Sequence, residues 1–283
     1  MARIDLHIHS NCSDGSDTIQ ELYEKIRKSD IETFAITDHD TVEGCRQMEL
    51  YTNNFIRGVE LTCQADDIKC HILGYGCDIN NKKLLNLIEK GKKLRRIKLE
   101  TRVKYLKEQW NIELTKDELD WLYSRTSVVK THFANIIVNR GLAEDTVSAM
   151  KKYIDACKTP KTRFEITEAV EALNHAGALI VWAHPLGGEG EEHLTEKDFL
   201  PKLEIMKNYG IKGLECYYSR YTKQEENFLV NCAKRNNLLI SGGSDYHGTN
   251  KKNISLAKLN YENIPITFEA LTILNALEAF DRT

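Results

Sequence analysis

The chain has 283 residues, of which 41% are hydrophobic and 29% charged, and its formal net charge is -3. This composition is typical of a globular protein and excludes a disordered or fibrous one. The slightly acidic balance argues against a globally basic nucleic-acid-binding protein, although it does not exclude a local basic patch. No apolar run reaches the roughly 18 residues of a membrane span, and the N-terminus has no signal-peptide core. The sequence therefore predicts a cytoplasmic protein with no membrane partner.

The cysteine pattern also favours the cytoplasm. The chain contains eight cysteines and no Cys-x-x-Cys pair, so we expect free thiols. Cys63, Cys70 and Cys77 recur at a regular spacing that a metal-thiolate cluster could use. Because zinc sites normally pair cysteines two to four residues apart, we favour buried free thiols at these positions.

Short apolar runs followed by polar residues predict the strands of an α/β fold. In chain order they are Ile4–Ile8, Thr33–Thr37, Phe55–Leu61, His71–Tyr75, Leu179–Ala183, Ile211–Cys216 and Leu238–Ser241. Helical patterns lie between several of them. Thr18 and Glu21, for example, form a predicted capping box before a helix that contains Leu22 and Ile26. Strands alternating with helices predict buried parallel strands in a sheet or barrel.

The segment 82–159 interrupts this alternation and predicts an all-helical insertion, which leaves 1–81 and 160–283 for the α/β domain. Two further helices are predicted within it at Ser127–Arg140 and Thr146–Cys157. Between Lys82 and Lys107, eleven Lys or Arg residues face only two acids. This charge run indicates either a solvated helix face or a positive wall for an anionic substrate.

Nine potential metal ligands lie on or just beyond the predicted strands. They are His7, His9, Asp14, His39, Glu60, His71, His184, Asp245 and His247. In parallel α/β folds, sites assemble from distant segments at the carboxyl edge of the sheet, so we expect these residues to meet. Mixed imidazole and carboxylate ligands favour Zn²⁺, Mn²⁺ or Fe²⁺. Because nine ligands exceed the needs of one ion, the sequence predicts two or three metals.

The motifs around these residues resemble those of the PHP (polymerase and histidinol phosphatase) family. In order, they are Asp-Leu-His7-Ile-His9-Ser, Ser-Asp14-Gly, Thr-Asp-His39-Asp-Thr, Gly-Val-Glu60, His71-Ile-Leu-Gly-Tyr, Ala-His184-Pro and Gly-Ser-Asp245-Tyr-His247-Gly. The chain is most similar to the stand-alone phosphoesterases, which include nucleoside 3',5'-bisphosphate phosphatases and a 5'-to-3' RNA exonuclease. The resemblance implies an α/β fold, a distorted (β/α)7 TIM-like barrel with a helical insertion, and three divalent metal ions (Mn, Fe or Zn).

The resemblance also implies how the ligands are shared among the three metals. The first set consists of His7, His9, Glu60 and Asp245. The second consists of Glu60 as a bridge, His71 and His184. The third consists of Asp14, His39 and His247. Asp5, Asp38 and Asp40 flank ligand histidines. They either orient imidazoles or make structural hydrogen bonds, and Asp40 is also a candidate for proton transfer.

Substrate-binding candidates lie in the insertion. Val-Val-Lys130-Thr-His132-Phe-Ala aligns loosely with an Arg-x-His-Ile-Ala stretch of similar enzymes. Lysine replaces the arginine here, which turns a bidentate fork into a point charge. We expect Lys130 and His132 to bind substrate, with His132 also a candidate for proton transfer, and Arg95 and Arg96 to contribute. Tyr217 and Tyr218 could stack one base, but core packing is the favoured interpretation.

Charge favours a phosphate as the substrate. Three divalent metals contribute +6 and three carboxylate ligands -3, which leaves about +3 when the histidines are neutral. The hypothesis is attack by a metal-bound hydroxide on the phosphorus of a nucleoside 3',5'-bisphosphate or a short oligoribonucleotide. The alternatives are a histidinol-phosphatase-like enzyme acting on small phosphomonoesters, or a non-catalytic metal-binding module. An amidohydrolase is disfavoured because Glu60, and not a modified lysine, is the apparent bridge.

Overall fold

The computed structural model describes residues 3–125, 128–188 and 191–280. The chain divides into two compact units. The first comprises Met1–Ile88 with Arg163–Thr283, and the second comprises Glu89–Thr162. The insertion predicted at 82–159 overlaps the second unit, and its boundaries as a domain stay a prediction.

The first unit contains an eight-stranded mixed sheet. The strands are β1 (Arg3–Asp5), β2 (Ile31–Ile36), β3 (Ile56–Ala65), β4 (Ile68–Tyr75), β5 (Phe164–Glu165), β6 (Leu179–Trp182), β7 (Gly213–Tyr218) and β8 (Leu239–Gly243). Their order in the sheet is β1-β2-β3-β4-β6-β7-β8, and β5 pairs with β3. Apolar side chains from every strand contribute to one buried core. In β5 the contributing residue is Phe164, whereas Glu165 is exposed. The predicted α/β class is confirmed.

The prediction that all strands run parallel is wrong at β4. This strand pairs antiparallel with both β3 and β6, whereas the β1–β2, β2–β3, β6–β7 and β7–β8 pairs are parallel. The reason lies in the connection between β3 and β4. Only Asp66 and Asp67 separate Ala65 from its cross-strand partner Ile68, and Asp66 has a φ of 51°. A two-residue turn with a left-handed residue joins antiparallel strands only.

The two ends of the strand order approach each other through residues just beyond β1. The Leu6 amide donates to Gly242 O at 3.3 Å, the His9 amide donates to Tyr246 O at 2.9 Å, and Ile8 forms an isolated parallel bridge with Tyr246. These bonds bring the segment after β1 to the end of β8. The ladder of strands itself is not closed, so the TIM-like barrel stays a prediction.

Helices follow most strands of the first unit. They are α1 (Ile19–Lys28), α2 (Glu43–Met48), α7 (Ile166–His175), α8 (Glu196–Asn208), α9 (Lys223–Arg235) and α10 (Ile273–Phe280), with 3₁₀ turns at Gly248–Asn250 and Phe268–Ala270. The predicted capping box of α1 is confirmed. The Glu21 amide donates to Thr18 Oγ1 at 3.3 Å, and the Thr18 amide donates to Glu21 Oε2 at 2.9 Å. This arrangement satisfies two N–H groups that the first turn of a helix leaves unpaired.

The second unit is helical. Helix α3 (Lys82–Trp110) begins in the first unit and continues into the second. It is followed by α4 (Lys116–Tyr123), α5 (Lys130–Asn139) and α6 (Thr146–Ala149). Directly after α6 comes a π-helical turn, Met150–Ile154. Leu106, Leu122 and Phe133 belong to its own apolar core. The helix predicted from Ser127 starts instead at Lys130, and Ser127 itself lies outside the described residues. Across those parts of the chain that the structure describes, no helix combines the length and apolarity needed to cross a membrane.

The cysteines are free thiols, as predicted. Cys63 and Cys70 lie opposite each other on β3 and β4, and Cys77 follows β4, all of them buried. Burial raises the pKa of the Cys63 thiol well above its ordinary value. Because a metal binds the thiolate, this environment disfavours the thiolate-cluster interpretation. The residue groups spaced for a metal, among the residues described, contain histidine, aspartate and glutamate.

Candidate metal centre

The strand ends bring the nine predicted ligands into one cluster within the first unit. His7 and His9 follow β1, Asp14 lies in the next loop, His39 follows β2, Glu60 and His71 lie within β3 and β4, His184 follows β6, and Asp245 and His247 follow β8. Most of these side chains are buried, whereas the Asp14 side chain is 49% exposed. The residues that follow β1, β2, β6 and β8 therefore meet Glu60 and His71, which lie within β3 and β4.

Glu60 lies at the centre of this cluster, and its two oxygens face different histidines. Oε2 is 3.2 Å from His7 Nε2, 3.1 Å from His9 Nε2 and 3.1 Å from His39 Nδ1. Oε1 is 3.1 Å from His184 Nε2 and 3.3 Å from His71 Nδ1. A carboxylate whose two oxygens face two different sets of histidines has the geometry of a ligand that bridges two metals.

The first group of donor atoms has the spacing of a single metal site. Asp245 Oδ1 lies 3.6 Å from His7 Nε2 and 3.4 Å from His9 Nε2, close to the 3.1–3.2 Å distances from Glu60 Oε2. Ligands bound at about 2.0–2.2 Å in tetrahedral geometry lie about 3.3–3.6 Å apart. His7, His9 and Glu60 together have the spacing of a metal site, and Asp245 Oδ1 lies within 3.6 Å of both imidazole nitrogens.

The second group fits as well, and the third is looser. His71 Nδ1 and His184 Nε2 lie 3.4 Å apart, so with Glu60 Oε1 they complete a compact triangle. In the third group, His247 Nε2 is 3.2 Å from Asp14 Oδ1, but His39 Nε2 is 3.9 Å from Asp14 Oδ2. Since Asp14 is half exposed on a loop, small side-chain rotations would tighten this group.

Several of these donor atoms are buried and have no hydrogen-bond partner. They include Nε2 of His7, His9 and His247, and Oε2 of Glu60. A buried polar atom without a partner costs about 1–3 kcal/mol, so a cluster of such atoms is unfavourable unless something else satisfies them. Divalent metal ions would satisfy all of them at once. The residues present therefore fit the metals that the chemistry of the donor set implies.

The charge states of Glu60 and His9 suit metal binding. Burial would raise the pKa of Glu60, but His39, His7 and His71 hold it well below its ordinary value. Burial, together with His247 and His39, lowers the pKa of His9 well below its ordinary value. An ionised carboxylate and a neutral imidazole are the forms that bind a metal. Burial would lower the pKa values of His7 and His184, but neighbouring carboxylates raise both, so a bound metal would have to displace a proton from each of these two imidazoles.

Glu215 is a buried carboxylate of the centre that the sequence analysis missed. Its Oε1 lies 2.9 Å from His7 Nδ1, and its Oε2 accepts the backbone N–H of His184 at 2.7 Å. With the Nδ1–H donating to Glu215, His7 directs Nε2 towards Glu60. A carboxylate behind a metal-binding histidine fixes both its tautomer and its orientation. The available signal was an acid inside the apolar run that forms β7.

Asp245 is held from behind by two further residues. The Tyr218 hydroxyl donates to Asp245 Oδ2 at 2.9 Å, and the Lys251 ammonium pairs with the same oxygen. This leaves Oδ1 for the side that faces His7 and His9. Tyr218 is buried, so it supports this carboxylate and does not form a platform for stacking a base.

Glu191 adds a carboxylate beside the second group of donors. Its Oε2 lies 3.2 Å from His184 Nδ1 and accepts the Gly188 amide at 2.9 Å. Burial would raise the pKa of Glu191, but His184 and His71 lower it to about 2. Together with His71 and His184 it forms a further donor group of metal-binding spacing. Nothing in the glutamate-rich loop around it distinguishes this residue in the sequence.

Asp5 and Asp38 make structural hydrogen bonds, the second of the two predicted roles. Asp5 Oδ1 accepts the Ser244 amide at 2.8 Å, which ties β1 to the segment before Asp245. Asp38 Oδ1 accepts the Ser10 amide at 2.8 Å and the Ser13 hydroxyl at 2.5 Å, which orders the loop leading to Asp14. Both carboxylates therefore position ligand-bearing loops.

Asp40 shapes the turn after β2. Its Oδ1 accepts the Thr62 amide at 2.8 Å, and its own amide donates to Glu60 O at 2.8 Å. Its φ of 50° places it in the left-handed region, which aspartate adopts more readily than most residues. These contacts join the turn to β3 beside Glu60. A role for Asp40 in proton transfer stays a prediction.

Two of the candidate metal ligands have backbones in the left-handed region. His184 has a φ of 27° and Asp245 a φ of 59°. Such conformations cost about 1–3 kcal/mol in a non-glycine residue and persist where the surroundings enforce them. Here the Glu215 contact with the His184 amide and the Tyr218 contact with the Asp245 side chain supply that enforcement.

The predicted substrate residues lie in the second unit, two of them on α5. Lys130 pairs with Asp155 at 2.6 Å. His132 Nδ1 accepts the Val129 amide at 3.2 Å, and the His132 ring contacts the face of Trp121 edge-on. These partners hold both side chains in defined positions at the start of the helix. Their predicted roles in substrate binding stay predictions.

Arg95 and Arg96 line a cavity of about 330 Å³ in the same unit, together with Lys92 and Arg125. The Arg96 guanidinium lies 3.5 Å from the centre of the Tyr123 ring. Its Nε donates to Glu100 Oε1 at 2.7 Å, and stacking leaves the other donors at the edge of the guanidinium, where they could meet an anion. The basic run of α3 thus contains a defined pocket, and anion binding there stays a prediction.

Glu215→Gln should weaken metal binding and phosphoesterase activity by about 10–100-fold, the usual effect of removing a partner of a ligand histidine. The physical reason is that an amide no longer favours the His7 tautomer with Nε2 free. Metal affinity measured by competition with a chelating dye checks this. Glu226→Gln is the matched control, because Glu226 is a buried glutamate on α9 that pairs with Lys223 outside the cluster. Equal metal affinity in the two variants would contradict the role given to Glu215.

The chain was compared with known protein families and with known proteins. The model of the PHP domain family matches residues 5–169, more than half of the chain. A 5'-3' exoribonuclease of Haemophilus influenzae is 28% identical over 252 residues, which cover 87% of this chain and 90% of that protein. A 3',5'-nucleoside bisphosphate phosphatase of Chromobacterium violaceum is 27% identical over 258 residues, which cover 87% and 88%.

A solved structure agrees with the fold. A Chromobacterium violaceum protein described as an amidohydrolase superposes with a TM-score of 0.73 at 23% identity, over 98% of this chain and 96% of that chain. At this identity the likeness shows the fold alone. The similarity extends through both segments of the first unit and through the second unit.

Proposed function

The chain belongs to the PHP-domain family of metal-dependent phosphoesterases, and on that premise we propose that it hydrolyses phosphate esters of nucleotides. The substrate is either a nucleoside 3',5'-bisphosphate or a short oligoribonucleotide. The resemblance that the sequence motifs indicated is thereby confirmed at the level of the family. The enzyme class, a phosphohydrolase that needs metal, follows from the same membership.

The observation that carries the proposal is the buried Glu60 carboxylate, whose Oε2 faces His7, His9 and His39 and whose Oε1 faces His71 and His184. We assign His7, His9, Glu60 and Asp245 to one metal, Glu60, His71 and His184 to a second, and Asp14, His39 and His247 to a third. When bound, Mn²⁺, Fe²⁺ or Zn²⁺ would stabilise the charge on phosphate oxygens and lower the pKa of a coordinated water towards neutrality. No serine or cysteine nucleophile is then required.

The protein's own residues have distinct tasks in this proposal. Glu215 fixes His7 and the His184 backbone, and Asp38 fixes the loop that carries Asp14. Two residues are proposed for proton transfer, Asp40 and His132. Lys130, His132, Arg95 and Arg96 are proposed to bind the anionic parts of the substrate. Arg96 supports this role best because the Tyr123 ring and Glu100 hold its guanidinium at the wall of a cavity.

The nucleotide substrate class is supported by the names of two relatives that match nearly the whole chain, one an exoribonuclease and the other a nucleoside bisphosphate phosphatase. Both reactions release a phosphate or nucleotide from a ribose ester, so one site can serve either. The alternatives from the sequence, a histidinol-phosphatase-like enzyme or a non-catalytic metal-binding module, are outcomes of the experiment that follows.

The experiment compares four substrates in the presence of Mn²⁺. They are adenosine 3',5'-bisphosphate, AMP, histidinol phosphate and a short 5'-phosphorylated RNA. Selective phosphate release from the bisphosphate, or stepwise shortening of the RNA, is the expected result and distinguishes the two nucleotide reactions. Release from histidinol phosphate alone would overturn the nucleotide proposal. No release from any substrate by a metal-loaded protein would favour the non-catalytic module.

A further inference from the structure

A cavity of about 470 Å³ in the first unit has two of the metal-site histidines in its wall. His71 and His184 line it, and so do three cations, Lys69, Arg163 and Lys202. Its volume falls in the range of small-molecule binding sites, about 300–1,000 Å³. A ligand in this cavity would therefore lie against the second group of metal donors and against the three cations simultaneously.

The three cations come from different elements and converge on the cavity. Lys69 lies two residues before His71 on β4, so both side chains point to the same side of the sheet. Arg163 directly precedes β5 and donates from Nη1 to Cys63 O at 3.3 Å. Lys202 lies in α8. Because β5 pairs with β3 beside the β3–β4 hairpin, the fold itself brings Arg163 close to β4.

These cations have no acidic partner in the described parts of the chain. No carboxylate there lies within the 4.0 Å of an ion pair from Lys69, Arg163 or Lys202, and Arg163 and Lys202 are only partly exposed. Partly buried cations without a counter-ion attract an anion more strongly than fully solvated cations do.

Three acids also line the cavity and must be taken into account. Glu191 already faces His184 and accepts the Gly188 amide, so its charge is compensated locally. Asp67 and Glu192 are exposed, where solvent screens their charge. The partly buried charges that remain to meet a ligand are those of Arg163 and Lys202, and both are positive.

We propose that this cavity is a subsite for a second phosphate of the substrate, held by Arg163 and Lys202 with Lys69 contributing, while the scissile phosphate lies at the metal centre. The inference rests on the proposed function and narrows it. The substrate is an ester that carries a second phosphate beside the one hydrolysed. In a nucleoside bisphosphate this is the other terminal phosphate, and in an oligonucleotide it is the next phosphodiester.

The test compares paired substrates that differ by one phosphate. With Mn²⁺ present, kcat/KM is measured for adenosine 3',5'-bisphosphate and adenosine 3'-monophosphate, and for a 5'-phosphorylated dinucleotide against its unphosphorylated form. In the double variant Arg163→Gln, Lys202→Gln, the preference for the substrate with the extra phosphate should fall at least tenfold, equivalent to about 1.4 kcal/mol. The pair that loses its preference identifies which source of the second phosphate the cavity serves.

Lys197→Gln is the matched control, because Lys197 lies on the same helix as Lys202 but outside the cavity wall. It should keep the full preference. Arg163→Lys, which retains the charge, should keep most of it. A double variant that is folded by circular dichroism and retains the full preference for both pairs would overturn the proposal.

A binding measurement separates the subsite from the proposed function. If the parent protein hydrolyses none of these substrates, the proposed function fails, and calorimetric titration in EDTA then tests the cavity without turnover. Tighter binding of the bisphosphate than of the monophosphate by the parent, lost in the double variant, would support the subsite. Equal binding of the two nucleotides by the parent would overturn it.

Discussion

Glu60→Gln should reduce kcat/KM for phosphate release by more than about 100-fold. Loss of a partner behind a metal ligand typically costs 10–100-fold, and Glu60 is itself in contact with two donor groups. The variant keeps the shape of the side chain but removes the negative charge that lies among five imidazoles. Metal content per chain should fall in parallel, measured by elemental analysis after gel filtration.

Glu171→Gln is the control for this change, because Glu171 is an exposed glutamate that pairs with Lys83 on the surface. It should retain both activity and metal content. Circular dichroism of both variants establishes that the fold is intact. If Glu60→Gln released phosphate at the parent's rate, the assignment of Glu60 as the shared ligand would be wrong.

Gly243→Ala should destabilise the protein by about 3 kcal/mol, at the upper end for overpacking, and should remove metal binding. Gly243 ends β8 directly against the strand segment that carries His7. A Cβ at this position would lie 2.5 Å from the His7 backbone nitrogen and closer still to its Cβ. The backbone of His7 must therefore shift, and its ring leaves the position that faces Glu60 and Asp245. Urea unfolding measures the stability change, and a metal assay measures the loss of the site.

Gly141→Ala provides the comparison. Gly141 has a φ of 70° and no atom within 4 Å of the added Cβ, so alanine there costs only the strain of a left-handed backbone, about 1–2 kcal/mol. It should retain metal. A Gly243→Ala protein with parent-like metal content would show that the close approach of β8 to His7 does not position the ligand.

The clustering of the nine candidate ligands was predictable from the sequence because most of them lie on or just beyond an apolar run. A buried strand that ends in His or Asp has few interpretations, and several such ends in one chain reinforce each other. The direction of β4 was not predictable in the same way. Thr62, Gln64 and Lys69 interrupt the apolar pattern of the β3–β4 hairpin, so its halves resemble two separate strands, and hydrophobic runs carry no information on direction.

The supporting residues were harder to predict for a different reason. Glu215 and Glu191 act on histidines that are distant in sequence, and only the folded chain brings them together. Glu215 could have been noticed in the sequence as an acid inside an apolar strand, whereas Glu191 is one of several glutamates in a polar loop. The partners of Asp38 were not predictable either. Its neighbour His39 suggested that Asp38 contacts an imidazole, but the Asp38 carboxylate binds Ser10 and Ser13.

The most direct test of the account is a metal titration of activity. Protein stripped with a chelator is returned to metal-free buffer, and phosphate release from adenosine 3',5'-bisphosphate is followed as Mn²⁺ is added, with bound metal counted per chain. The account predicts no release without metal and an activity that continues to rise beyond one bound ion per chain. Full release by protein shown to be free of metal would contradict it.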